Sequence, residues 1–262
     1  MPSPGAAMAV FITGASSGLG SALARHYAAQ GATLGLVGRR GEALAALARS
    51  LGTGHRCYAL DVRDRAALHE AARDFLGHTG QRIDIVIASA GVSAGTSTGH
   101  VEDFDVFKAI IDTNLLATVA TFEPFIDAMS ASSRGRLVGI GSVAGVRGLP
   151  GAGAYSASKA AVATYCESLR LELAGQGIRV VTIAPGYVRT AMTAANPYGM
   201  PFLMDADVFA RRAARAIARG VSYTVIPWQM GIVARLMKVL PDWLYDRAAR
   251  NAPRKPRSKT LR

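Results

Sequence analysis

Tyr155 and Lys159 are the residues of this chain whose types and spacing most directly suggest chemistry. They stand four residues apart in a stretch of helical periodicity, Ala154–Ala174, so both side chains leave one face. An ammonium group beside a phenol favours the phenolate and lowers the tyrosine pKa. A tyrosine tuned towards neutrality can pass a proton to a carbonyl oxygen as hydride arrives at the carbon. Taken alone, Tyr-x-x-x-Lys is common, and a half-buried tyrosine beside a solvated lysine is its usual explanation. The rest of the chain must decide between these readings.

Short β-rich apolar runs alternate with longer helical patterns. The strands are predicted at Ala9–Thr13, Thr33–Gly38, Arg56–Leu60, Ile83–Ser89, Arg136–Ser142, Arg179–Ala184 and Ser222–Pro227. Helices are predicted at Gly18–Gln30, Gly41–Leu51, Arg65–Leu76, Asp103–Met129, Ala154–Ala174 and Asp205–Arg219. Nearly continuous apolar strands are covered on both faces, and strand–helix alternation means an α/β, doubly wound parallel sheet of about seven strands. Residues 8–227 read as one such domain. Thr190–Leu203 falls outside the alternation and, rich in Ala, Met and Pro, is placed to be a substrate lid.

The first strand runs into Thr13-Gly14-Ala15-Ser16-Ser17-Gly18-Leu19-Gly20, and a helix follows. Glycines let the backbone turn tightly and approach a pyrophosphate, and the helix start offers free N–H groups and the positive end of its dipole. An NAD-preferring site usually carries an acid at the end of the second strand. Here the sequence is Gly38-Arg39-Arg40, and the first acid, Glu42, is already in the next helix. Arginine at that corner suits a 2′-phosphate, which makes NADP (NADPH) the expected cofactor, with Arg39 the favoured contact over Arg40.

The spacing Gly-x-x-x-Gly-x-Gly resembles that of the short-chain dehydrogenase/reductase (SDR) family, with a Rossmann-type sheet. Four further motifs match in order: Asn114 within Thr113-Asn114-Leu115, Ser142 within Gly141-Ser142-Val143-Ala144-Gly145, Tyr155-Ser156-Ala157-Ser158-Lys159, and Pro185-Gly186-Tyr187-Val188-Arg189-Thr190. The resemblance implies an oxidoreductase reducing a carbonyl, with Tyr155 as acid, Ser142 bonding the substrate oxygen and Asn114 anchoring a proton-relay water. It implies that Lys159 also binds the nicotinamide ribose, that Val188 and Thr190 hold the nicotinamide end, and that Asp61-Val62 meets the adenine. One segment departs from the family: Ala88-Ser89-Ala90-Gly91 stands where Asn-Asn-Ala-Gly is frequent, which leaves the contacts of Ala90 and Gly91 with the cofactor open.

The remaining features bound the setting. Cys57 and Cys166 lack partners at metal-ligand spacing and read as reduced core residues, so no metal and a cytoplasmic location are expected. Met1–Ala7 holds no basic residue, so no signal peptide is expected, and no apolar run appears long enough to span a membrane. Of the formal +12, a net +7 falls in Trp228–Arg262, where nine basic residues face Asp242 and Asp246. Residues 228–251 read as an amphipathic helical extension interrupted at Pro241, and 252–262 as a disordered basic tail. The extension could rest on a membrane surface, on its own domain or on a second subunit of a homo-oligomer. No nucleic-acid motif is present. The apolar lid, with Met192, Met200, Phe202 and Leu203, suits a lipophilic ketone or aldehyde. Two other functions stay open: a cofactor-binding regulator without turnover, and a membrane-surface lipid-binding protein.

Overall fold

The computed structural model describes residues 7–194, 196 and 198–257. Its centre is a seven-stranded parallel sheet in the order β3-β2-β1-β4-β5-β6-β9. The strands are β1 Ala9–Thr13, β2 Thr33–Gly38, β3 Arg56–Ala59, β4 Ile85–Ala88, β5 Gly135–Ile140, β6 Ile178–Pro185 and β9 Tyr223–Ile226. The order reverses between β1 and β4, and ligands of such sheets bind beyond the carboxyl ends of the strands at that point.

Alternate strand residues serve opposite layers. Phe11, Val86, Leu137 and Val180 pack against α3 (Arg65–His78) and α7 (Gly153–Glu172) through Leu68, Phe75, Val162 and Leu169. Val10, Ile12, Ile87 and Val138 pack instead with α1 (Gly18–Ala28) and α9 (Ala206–Arg219) through Leu23, Phe209 and Ile217. At the amino end of the sheet, buried Asp84 accepts from the Ala9 amide at 2.8 Å and pairs with Arg134 and Arg82 at 2.6 and 3.0 Å. Cys166 is buried as expected, whereas Cys57 is exposed because β3 is an edge strand with little cover.

The single helix predicted over Asp103–Met129 is a compound rod. It holds α4 (Phe104–Ile111), a π turn (Asp112–Leu116), α5 (Ala117–Phe122), a 3-10 turn containing Pro124 and α6 (Ile126–Ala131). By length and composition Val101–Ala131 is apolar enough to cross a membrane, contrary to the sequence expectation. Val106, Ile110 and Phe122 are buried in the core, whereas Val101, Phe104 and Leu116 are exposed.

Two features were not foreseen. The lid, Thr190–Leu203, begins with α8 (Ala191–Ala194) and is flanked by β7 (Val188–Arg189) and β8 (Met204–Asp205), whose pairing staples its two ends together. The expected disorder from Ala252 does not describe residues 252–257, which lie along the carboxyl edge of the sheet in defined contacts; residues 258–262 are outside the described set. The extension itself is α10 (Trp228–Val239) and α11 (Asp242–Ala249), broken at Pro241 as the sequence indicated.

Candidate active site

The glycine loop leaves β1 beneath the end of β4. Gly14 has φ +68°, and a Cβ there would sit 2.8 Å from the Ala90 backbone. Thr13 fixes the neighbouring loop, its hydroxyl accepting from the Ser89 and Ala90 amides at 3.2 and 3.3 Å. That contact ties β1 to the loop after β4 at the segment where the sequence departs from Asn-Asn-Ala-Gly. At the start of α1, Ser17 makes no side-chain cap bond and no acid occupies the first turn. First-turn N–H groups and dipole are therefore available to an anion. Thr190 reaches the same loop: a Cβ on Gly18 would meet its methyl group at 3.4 Å. Gly20 packs against Gly14, and Leu19 turns into the apolar layer. Loop, helix start and Thr190 together fit the pyrophosphate of a dinucleotide.

Asn114 sits on the π turn and is fully buried. Its carboxamide accepts from the Val92 amide at 2.8 Å and donates to the Val92 carbonyl at 3.0 Å and the Ser158 hydroxyl at 2.9 Å. The side chain is therefore committed to holding the loop after β4. Within that loop Gly91 is hemmed in, since a Cβ would lie 3.2 Å from Asn114 Oδ1 and 3.6 Å from Lys159 Nζ.

Ser142, two residues past the end of β5, caps a short 3-10 turn, accepting from the Ala144 amide at 3.1 Å. Its side chain lies near Tyr155, in the first turn of α7. Lys159, one turn on and 6% exposed, donates to the Ile140 carbonyl at 2.8 Å, with its Nζ 5.8 Å from the centre of the Tyr155 ring. The two side chains share a face as the spacing required. The expected electrostatics are reversed, however. Burial lowers the Lys159 pKa to about 8. Burial also raises the Tyr155 pKa, the Ser142 side chain acts in the opposite direction, and nearby Tyr198 adds to the rise. The shift runs against a phenol tuned towards neutrality. Tyr198, in the lid, had no sequence signal beyond its place there; it meets Tyr187 edge-on at 6.4 Å.

At the ends of β2 and β3, Arg40 folds back to donate to the Ser16 carbonyl at 2.9 Å, so Arg40 rather than Arg39 is attached to the glycine loop. Arg39 stays exposed and lends positive charge to Asp61. Arg63, overlooked in the sequence although only two residues past Asp61, binds that carboxylate at 2.6 Å and is the main cause of its lowered pKa. Val62 is buried, which leaves its backbone for any adenine contact.

Residues 8–199 match the family described as short chain dehydrogenase. The chain belongs to the short-chain dehydrogenase family. This dehydrogenase is 41% identical over 242 residues to an uncharacterized oxidoreductase of Myxococcus xanthus, covering 91% of the present chain and 95% of that one. Among solved structures it resembles a short-chain dehydrogenase from Sphingobium yanoikuyae in complex with NADPH, with TM-score 0.76, 29% identity, and 90% and 97% of the two chains covered. A 3-ketoacyl-(acyl-carrier-protein) reductase from Brucella melitensis complexed with NADH superposes with TM-score 0.75 at 23% identity over 84% and 96% of the chains, a likeness of fold.

In this short-chain dehydrogenase, β6 delivers Pro185 and Gly186 to the same edge, the Gly186 amide donating to Ile226 at 2.8 Å. The Val188 carbonyl accepts from the Thr193 hydroxyl at 2.6 Å, which anchors the start of the lid. The extension docks beside Ser142. Arg147, from the loop after β5, donates to the Leu240 carbonyl at 3.0 Å, pairs with Asp242 at 2.8 Å and lies 4.2 Å over the Tyr245 ring. The far side of α10 stays bare, with Trp228, Ile232, Leu236 and Val239 exposed.

Proposed function

We propose that this dehydrogenase reduces a carbonyl to an alcohol at the expense of NADPH, with Tyr155 as proton donor. The observation that carries the reading is the arrangement of Tyr155 and Lys159 on one face of α7, with Lys159 Nζ 5.8 Å from the Tyr155 ring and Ser142 just beyond the end of β5. Bound at the glycine loop, the nicotinamide cofactor supplies the hydride. Ser142 and Tyr155 receive the substrate oxygen, and Tyr155 gives up its proton as negative charge gathers there. Lys159 stands over the resulting phenolate and, with a pKa near 8, is able both to carry charge and to lose a proton. Asn114 holds the loop that carries Ala90 and Gly91, and through Ser158 it is tied to the helix of Tyr155.

NADPH is favoured by Arg39 and Arg40 at the end of β2, where an acid would otherwise select the ribose hydroxyls, and by Arg63 beside them. The exposed Met192 and Phe202 of the lid favour an apolar portion in the substrate. The test is NADPH oxidation across acyl chains, steroids and small aldehydes. Tyr155→Phe should lose about 10²–10⁴-fold in kcat while still binding NADPH. An unchanged kcat would remove Tyr155 from the mechanism. A second reading concerns location: the exposed face of α10, flanked by Arg235 and Lys238, suits an anionic membrane surface. Flotation on phosphatidylserine vesicles should depend on Trp228 and Leu236.

A further inference from the structure

Residues 254–257 form a strap over the loop that follows β4 and the loop that precedes α7. Arg257 fastens it, its guanidinium meeting Asp103 at 2.8 and 2.9 Å and Glu102 at 3.0 Å. The Gly95 amide donates to the Pro256 carbonyl at 3.1 Å, and the Thr96 amide donates to the Gly151 carbonyl at 3.0 Å, so the strap and both flanking loops form one layer. The chain has glycine where the strap presses closest. A side chain at Gly95 would collide with the Lys255 carbonyl, and one at Gly151 would lie 3.2 Å from Arg254 Cβ.

Within this layer the charges are unevenly satisfied. Arg257 takes both nearby acids. Lys255 is half-buried and donates at 2.9 Å to a hydroxyl, that of Ser93. Among the described residues no Asp or Glu lies within ion-pair distance of Lys255 or Arg254. Burial lowers the Lys255 pKa, as expected of an uncompensated ammonium. Ser93 is two residues, at most about 7 Å of chain, from Gly91, whose missing side chain faces Lys159 Nζ. Gly151 precedes the first turn of α7, which carries Tyr155.

We infer that Lys255 is a specificity-determining residue that holds an anionic group, a carboxylate, sulfonate or phosphate, at the end of the substrate remote from the carbonyl. This rests on the reductase reading and names its substrate class. A negative group there would meet an ammonium already partly stripped of water, with Ser93 as a second donor and Arg254 at the rim. The substrate is then a carbonyl compound with one charged end, its apolar stretch facing the lid.

The test uses matched probes on the full chain. NADPH oxidation is followed with succinate semialdehyde and with butanal. Separately, calorimetry on the NADP-loaded protein compares binding of 4-hydroxybutyrate with its uncharged amide. The wild type should favour the anion of each pair by roughly ten- to a hundredfold. Lys255→Met should bring both ratios close to one, Lys255→Arg should keep most of the preference, and Arg257→Ala, which frees the strap, should lose it. Equal handling of charged and neutral probes by the wild type, or a preference that survives Lys255→Met, overturns the inference. If neither aldehyde is reduced but 4-hydroxybutyrate still binds in a Lys255-dependent way, the reductase reading falls and the anion subsite stands.

Discussion

Replacing Lys159 with methionine should stabilise the cofactor-free protein while removing its activity. Lys159 is 6% exposed, and burial brings its pKa from 10.5 to about 8. Each tenfold loss of proton affinity is worth about 1.4 kcal/mol, so carrying the charge near pH 7 costs about 3 kcal/mol. The folded-state pKa lies below the unfolded one, so the native protein binds fewer protons than the unfolded chain between pH 8 and 10.5. Stability from this group therefore rises with pH through that window, and the full penalty applies below it. Methionine has a similar length and no charge. It leaves the Ile140 carbonyl without its 2.8 Å donor, a loss of about 1–2 kcal/mol. The net gain is about 1–2 kcal/mol, or roughly 2–6 °C in Tm for a chain of this size. Thermal melts of both proteins from pH 7 to 10 provide the assay. The gap should be widest at pH 7 and narrow as pH rises. A lower Tm for the variant at pH 7, or a gap that ignores pH, would refute the reasoning.

Other substitutions test other parts of the structure. Arg39→Ala with Arg40→Ala should raise the KM for NADPH about ten- to a hundredfold and leave that for NADH nearly unchanged; parallel changes would place the 2′-phosphate elsewhere. Asp84→Ala strands Arg134, Arg82 and the Ala9 amide and should cost about 2–3 kcal/mol in urea unfolding, with little effect on KM. Tyr27→Phe should raise stability by about 1 kcal/mol, because the Tyr27 hydroxyl is buried without a partner among the described residues; a fall in Tm would mean that it has one.

The sheet was legible in the sequence because its strands are short apolar runs with helical stretches between them. Gly14, Ser142, Tyr155 and Lys159 were legible because motif spacing fixes which element end each occupies, and the topology then gathers those ends. The electrostatics were not legible. Spacing places an ammonium beside a phenol, but whether it tunes the phenol depends on burial, and here burial acts on Lys159 as well as Tyr155. The Arg63–Asp61 pair depended on side-chain direction in a loop. The strap was hidden for another reason: Arg254–Arg257 has the composition of a solvated tail, and its ordering comes from Glu102 and Asp103, about 150 residues away in sequence.

The strap also sets the order in which the protein can be completed. Residues 254–257 follow β9, the last strand of the seven-stranded sheet, along the chain. During synthesis the sheet, the glycine loop and the Ser142–Tyr155 pair can therefore assemble while the mouth of the site still lacks a wall. The nascent protein is first a dinucleotide-binding body with an open, unselective cleft. Its discrimination among substrates arrives only when Arg257 closes on Asp103, so a fusion or a proteolytic nick near position 254 would leave the fold intact and loosen its choice of substrate.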